Sequence, residues 1–229
     1  DPMLAKVIVH EASREAALAA LDKSLEETGI EGIETNRDYL RSILADPVFA
    51  DGQMTTRYLN DFSYQPFTLD VLAGGTLTTV QDYPGRSGYW PVGVPPSGPF
   101  DALSFRLGNR LLGNEENAAG LEFTLNGPTL KFNQATRIAL TGADMQATLD
   151  GNPVPGYTAI AIQPGQTLKL GKVVGEGARA YLAIAGGIQC TPYLGSRSTF
   201  TLGQFGGHGG RALRTGDVLH FSPDNGAVS

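Results

Sequence analysis

The chain has 229 residues, a formal charge of −6 with 17 basic residues scattered along it, a hydrophobic content of 41%, one cysteine and three histidines. This length supports a sizeable core in one or two domains. The scattered basic residues offer no face for nucleic acid, and no apolar run approaches the ~20 residues of a membrane span. Cys190 alone excludes an internal disulfide, and His10, His208 and His220 lack metal-ligand spacing, so no metal is expected and a reducing cytoplasm is the expected compartment. Residues 1–10 show no secretory leader pattern. The chain opens on Asp1-Pro2 and closes on SPDNGAVS just after the strand-like DVLHF. The expectation is a piece of a longer polypeptide.

Residues 1–66 read as α+β. Lys6–His10 is a short apolar run that predicts a buried strand. Ser13 is placed to cap a helix with Glu15 in its first turn and Leu18, Leu21 and Leu25 on one face, stopped by Gly29. Ile30–Ile33 reads as extended. Asn36 is placed to cap a second helix with Leu40, Ile43 and Leu44 inward, ended by Asp46-Pro47. Asn60–Pro66 reads as a linker.

Residues 67–229 change character to Gly, Thr and alternating apolar residues. Phe67, Leu69 and Val71 alternate, Gly74-Gly75 turns, and Leu77–Val80 returns, which predicts a hairpin. Pro99–Leu112 predicts a helix with Phe100, Leu103, Leu107 and Leu111 on its inner face, ended by Gly113. Leu121–Thr124 then reads as a strand, and others follow at Thr129–Phe132, Arg137–Leu140, Ala147–Leu149, Thr158–Ile162, Thr167–Leu170, Ala178–Ala185 and Asp217–Phe221. The turn pairs Asp150-Gly151 and Pro164-Gly165 separate some of them. Many short strands with Gly/Pro turns predict a mainly β barrel or sandwich.

The stretch from Gly74 to Asp101 is the densest in stiff turn residues. Tyr83-Pro84-Gly85-Arg86 reads as a turn with positive φ at Gly85, which is expected to throw Asp82 and Arg86 outward on either side. Ordered loops with fixed polar groups are where sites sit; the alternative is a structural lid packed by Tyr83, Tyr89 and Trp90. The run Gly203–Arg211 has the glycines of a phosphate loop but continues as turn and strand, so its glycines are better used for close backbone approach to a ligand or to another segment. Ser196-Arg197-Ser198-Thr199 sets hydroxyls beside a guanidinium, which suits a carboxylate or ureido oxygen, or else a polar turn. Glu122 and Asp144 are the best lone carboxylates; Glu122 stands on a strand, either as a site carboxylate or facing solvent. No hydrolase triad is recognisable around Ser97 or Ser198.

Two resemblances follow from longer stretches. DPMLAKVI, the helix beginning Arg14-Glu15-Ala16, GIETN, and the spacing of Asp46, Phe49, Gly52 and Thr55 ahead of Leu59 resemble the end of a biotin carboxylase domain. Then TVQDYPGRSGYWPVGVPPSGPFD, GNRLLGN, LEFTLNGPTL, IALTGADM, RAYLAIAGGI, LGSRST and FGGHGGR are similar, in order, to the allophanate hydrolase subunit 2 family. These resemblances imply residues 1–66 as the C-terminal part of a biotin carboxylase domain and 67–229 as the N-terminal part of a cyclophilin-like β-barrel carboxyltransferase domain. Joined, they imply the arrangement of the urea carboxylase family. That arrangement includes a subunit 1-like half of the carboxyltransferase and a biotin carrier domain, with ATP and Mg held in a preceding part of the biotin carboxylase. No Met-Lys-Met biotin acceptor stands in this chain. The implied reaction is carboxyl transfer from carboxybiotin to urea, giving allophanate. A guanidine-type carboxylase is one alternative, and a binding module like the 5-oxoprolinase components is another. By residue type, Gln81, Asp82, Arg86 and Glu122 are the candidate catalytic groups, and Ser97, Arg197, Ser198 and Thr199 the candidate substrate ligands. Arg86 and Arg197 are cast as holders of the carboxylate in transit.

Overall fold

The computed structural model describes residues 3–30, 32–224 and 226, and the chain divides into two compact units, Asp1–Gln65 and Pro66–Ser229. The first is helical: α1 spans Arg14–Glu27, α2 Arg37–Ala45, α3 Pro47–Ala50 and α4 Tyr58–Asp61. Ser13 caps α1 as expected, its hydroxyl accepting from the Ala16 N–H at 3.2 Å. Asn36 makes no such bond; the Thr35 hydroxyl instead accepts from the Arg37 N–H at 3.3 Å. Asp46 ends α2 and caps α3. The Arg41 guanidinium ties α2 to α1 through both oxygens of Asp22, at 2.8 and 3.2 Å. Leu25 and Ile43 are buried, whereas Leu40 is exposed.

Residues 3–13 contain no strand, which corrects the expectation at Lys6–His10, and Ile8 is 80% exposed. A strand needs a ladder partner for its backbone groups, and none of the described residues of this unit forms one. Ile30 and Ile33 also lie outside any strand; Glu31, between them, is outside the described residues.

The second unit is mainly β. Its strands are β1 Thr68–Ala73, β2 Leu77–Gln81, β3 Gly120–Thr124, β4 Thr129–Phe132, β5 Thr136–Gly142, β6 Thr148–Leu149, β7 Asn152–Pro153, β8 Ala159–Ile162, β9 Thr167–Lys169, β10 Arg179–Ile184, β11 Ile188–Gln189 and β12 Val218–Phe221, with helix α5 at Ala102–Leu111. A seven-stranded sheet runs β11-β12-β1-β4-β9-β6-β7 and a five-stranded sheet β2-β3-β10-β5-β8, with antiparallel pairing throughout. The two share one core. Leu69, Val71, Leu130 and Phe132 enter it from the first sheet, and Val80, Leu121, Phe123 and Leu182 from the second.

Two expectations fail for physical reasons. β1 and β2 do not form a hairpin: β1 pairs with β12 and β4, while β2 pairs with β3 in the other sheet. The Gly74-Gly75 turn is a corner between sheets, pressed under neighbouring backbone. A Cβ on Gly74 would lie 2.3 Å from the Leu213 carbonyl oxygen, and one on Gly75 2.5 Å from that of Asn126. The second failure is the helix face. α5 packs on β10 and β5 and buries Ser104, Phe105, Gly108 and Asn109, leaving Phe100, Leu103, Leu107 and Leu111 exposed. The short strands β7 and β11 had no distinct sequence signal.

Limited proteolysis of the chain is expected to cut first between Asn60 and Phe67, beside the junction of the two units. A first cut inside Thr129–Leu170, with residues 60–67 intact, would refute that junction as the weak point.

Candidate functional site

Sheet alternation places one row of polar side chains on the outer face of the five-stranded sheet. Leu121 and Phe123 point into the core, so Glu122 points out. It stands beside Thr79 on β2 and Tyr181 on β10, and Tyr181 stands beside Thr141 on β5. The segment before α5 is hung from this row. Glu122 Oε2 accepts from the Phe100 N–H at 2.6 Å and from the Tyr181 hydroxyl at 3.0 Å. The same hydroxyl accepts from the Asp101 N–H at 2.7 Å. Thr141 donates to the Ser104 carbonyl at 2.7 Å. Burial pushes the Tyr181 phenol well above its ordinary pKa, so it stays a donor to Glu122. Asp101 caps α5 by accepting from the Leu103 and Ser104 N–H groups, each at 3.1 Å. The Ser104 hydroxyl and these N–H bonds hold its carboxyl below the usual pKa, against its burial.

At the end of β2 the chain enters the Pro/Gly-rich segment, where a second set of polar groups is buried. Gln81 donates to the Thr79 hydroxyl and accepts from the Gly98 N–H, both at 3.0 Å. Asp82 Oδ1 accepts from the hydroxyls of Ser196 (2.6 Å) and Ser198 (2.7 Å), and Oδ2 from the Arg197 N–H (2.7 Å). Arg86 is 1% exposed. Its Nε donates to the Tyr193 carbonyl at 3.0 Å, its Nη2 to the Ser198 carbonyl at 2.8 Å, and its guanidinium lies 4.9 Å from the Phe205 ring centroid. Nη1 is buried without a hydrogen-bond partner. Burial lowers the Arg86 pKa from its ordinary value, opposed by the charge of Asp82. Thr199 donates its hydroxyl to the Val80 carbonyl at 2.9 Å. Gly85 has φ +87°, as the turn reading requires, and its backbone presses on Pro96, whose oxygen a Cβ would meet at 2.6 Å.

The expectation that the turn throws Asp82 and Arg86 outward is therefore corrected. Both point inward and stitch residues 82–86 to 193–199, each charge compensated by fixed donors or acceptors. The glycine-rich run serves close self-packing. A Cβ on Gly206 would lie 2.3 Å from the Ser198 oxygen, and one on Gly207 2.0 Å from the Thr199 hydroxyl. At the end of that run Arg211 and Asp217 form a two-pronged pair at 2.7 and 2.8 Å.

The fold thus joins Asp82, Arg86, Arg197 and Ser198 by hydrogen bonds, while Gln81 bonds to Thr79 and Gly98 and Thr199 to the Val80 carbonyl beside them. Ser97, half-buried with φ +57°, adjoins Gln81 through Gly98. Glu122 lies beside Thr79, to which Gln81 donates. Arg197 is half-buried and its Nε donates to the Cys190 carbonyl at 3.0 Å. Sequence reasoning missed Asp101, Tyr181, Tyr193 and Phe205. Asp101 was findable as a cap three residues before Ser104; Tyr181 carries no local signal. A separate cavity of about 270 Å³, lined by Leu140–Met145, Val154, Tyr157 and Leu170 among others, includes the lone carboxylate Asp144 but none of the candidate catalytic or substrate residues.

A carboxyltransferase module with a biotin carboxylase end is what the comparisons with known proteins indicate; of the expected barrel or sandwich, the structure shows two antiparallel sheets on one core. Residues 92–229 match the family described as carboxyltransferase domain, subdomain A and B, and residues 1–61 match the biotin carboxylase C-terminal domain. The chain belongs to this carboxyltransferase family. It is 49% identical over 225 residues to a urea amidolyase of Saccharomyces cerevisiae, covering 98% of this chain and 12% of that one. The crystal structure of the Kluyveromyces lactis urea carboxylase matches with a TM-score of 0.85 at 47% identity, over 96% of this chain and 20% of that one. A 5-oxoprolinase subunit of Escherichia coli is 42% identical over 151 residues, covering 66% of this chain and 48% of that one. The chain thus spans about an eighth of the urea amidolyase that it matches.

Arg86→Ala is expected to cost about 2–4 kcal/mol of stability, by stranding two buried carbonyls and removing the stack on Phe205. Arg86→Lys should recover only part of this, since one ammonium cannot replace a fork spread over Tyr193 and Ser198. Denaturant unfolding measures both; an unchanged midpoint for Arg86→Ala would deny the group a role in stability.

Asp101 has a depressed folded pKa, so the stability it contributes is fully present above its unfolded value of about 3.9 and is lost as pH falls through the lower folded value. Melting temperature should fall from about pH 5 downward, and Asp101→Asn should flatten that fall. Identical pH profiles for the two proteins would remove Asp101 from the linkage.

Proposed function

We propose that this chain is part of a biotin-dependent urea carboxylase and contributes to the module that transfers a carboxyl group from carboxybiotin to urea, giving allophanate. The observation that carries this reading is the join. In one chain the biotin carboxylase C-terminal match over residues 1–61 is followed by the carboxyltransferase match over 92–229, and the urea amidolyase relative matches across both. The E. coli 5-oxoprolinase relative matches only 66% of the chain, so the alternative of a stand-alone binding module leaves the first unit unexplained. In this reading biotin is carried on a separate domain, a subunit 1-like half completes the transferase, and ATP and Mg are used in a preceding part of the biotin carboxylase.

Burial divides the proposed roles. Asp82, Ser198 and Thr199 are 7%, 0% and 4% exposed, and they hold the loop framework. Glu122 anchors Phe100 and Tyr181. Arg86, 1% exposed, belongs to the same framework, and the second amide hydrogen of Gln81 is the donor left for charge developing on an oxygen during transfer. Ser97 and Arg197, half-buried, are the groups placed to meet the substrate.

The parent polypeptide should show bicarbonate-dependent ATP cleavage that urea stimulates and avidin blocks, while the present chain alone shows none. Stronger stimulation by guanidine than by urea would move the assignment to the guanidine alternative. No stimulation by either, in a biotinylated parent, would overturn it.

A further inference from the structure

Phe100, Leu103, Leu107 and Leu111 form one apolar row along α5 and its N-terminal approach, yet they are 80%, 67%, 39% and 39% exposed. The helix is not free to roll and bury them. Its other face is fitted to the sheet, where a Cβ on Gly108 would lie 3.3 Å from both the Ala183 Cβ and the Thr141 hydroxyl oxygen. Its start is fixed by Glu122 holding the Phe100 N–H, and its end by Asn109 donating to the Ala118 carbonyl at 2.9 Å. Monomeric proteins seldom present a continuous apolar patch without a partner for it.

We infer that this row is the docking face for a further part of the same carboxyltransferase polypeptide, one presenting apolar side chains. This rests on the reading of the chain as part of a larger carboxylase. Three observations point to that occupant. First, more than half of the E. coli 5-oxoprolinase relative lies outside the region matched here, so relatives carry ample chain beyond it. Second, the rim carries no net charge for a charged partner to meet. Its charges are matched within the chain: Arg179, over the Phe100 ring at 5.1 Å, faces Glu122 Oε1 at 3.6 Å, Arg106 and Arg110 face Glu116, and Asp101 caps the helix, so the row suits an apolar occupant. Third, four side chains on one helix fall short of the about 800 Å² per partner typical of a stable complex, which disfavours a second copy as the occupant. A helix-wide ridge does suit packing against another helix at about 8–10 Å.

Leu103 is exposed in this chain, so Leu103→Glu should leave the melting temperature of the 229-residue protein within roughly 2 °C of wild type. In the parent polypeptide, where the row would be covered, the same change should lower the transition by more than about 5 °C, with Leu103→Met close to wild type. Amide exchange along α5 should also be at least ~10-fold slower in the parent than in this chain. Equal, small effects of Leu103→Glu in both proteins would overturn the proposal. So would sedimentation of this chain as a dimer that Leu103→Glu makes monomeric, which would assign the row to a second copy. A wild-type parent without urea-stimulated ATP cleavage would refute the functional reading, while leaving the docking result to stand or fall by itself.

Discussion

Two opposite charges with no route to water govern the second unit. Asp82 and Arg86 leave the end of β2 four residues apart and both turn inward, 7% and 1% exposed. Removing such groups from water costs several kcal/mol each, unless the interior supplies fixed partners. Here the partners come from one distant segment. Ser196, the Arg197 N–H and Ser198 surround the carboxylate, and the Tyr193 and Ser198 carbonyls take the guanidinium. The segment after β2 has too many prolines for a ladder of its own, so these bonds are what hold it. The glycines at 206 and 207 are a consequence: any side chain there would drive the backbone off Ser198 and Thr199 and open the charged pair to solvent.

The polar row on the outer face of the five-stranded sheet acts on α5 in a related way. Polar side chains on a sheet face would ordinarily point to water. Here Glu122, Tyr181 and Thr141 spend their bonding capacity on the backbone of residues 100, 101 and 104. A helix held by polar bonds and seated on Gly108 needs little apolar surface on its sheet side. Its leucines are left for the opposite side, a division that makes sense for a module built into a larger enzyme.

What was legible in the sequence was local. β4 has the ends expected at Thr129–Phe132, and most other strands agree within two residues, because alternation and turn pairs are written within a few positions. What was lost depended on distant partners. A strand–turn–strand pattern is the same whether the two strands pair or part to different sheets, so the β1–β2 corner looked like a hairpin. The apolar face of α5 was read as inward because amphipathicity gives the direction of water only for a helix with one partner. Lys6–His10 has the composition of a strand, but not the neighbours. Asp82 and Arg86 were placed outside because charged residues seldom bury without partners, and those partners lie more than 100 positions away.

That last error bears on the chemistry. The guanidine-type alternative calls for carboxylates free to receive a cation, and among the candidate residues only Asp82 and Glu122 carry one. Both oxygens of Asp82 are already engaged by donors from residues 196–198, and Glu122 Oε2 holds two donors while Oε1 faces Arg179 at 3.6 Å. A cation bound there would have to displace internal bonds that fix the fold around it. Arg86 Nη1 and the remaining Gln81 amide hydrogen are both donors. Neither offers a lone pair to a cation, and the carboxylates that could are already engaged in holding the fold.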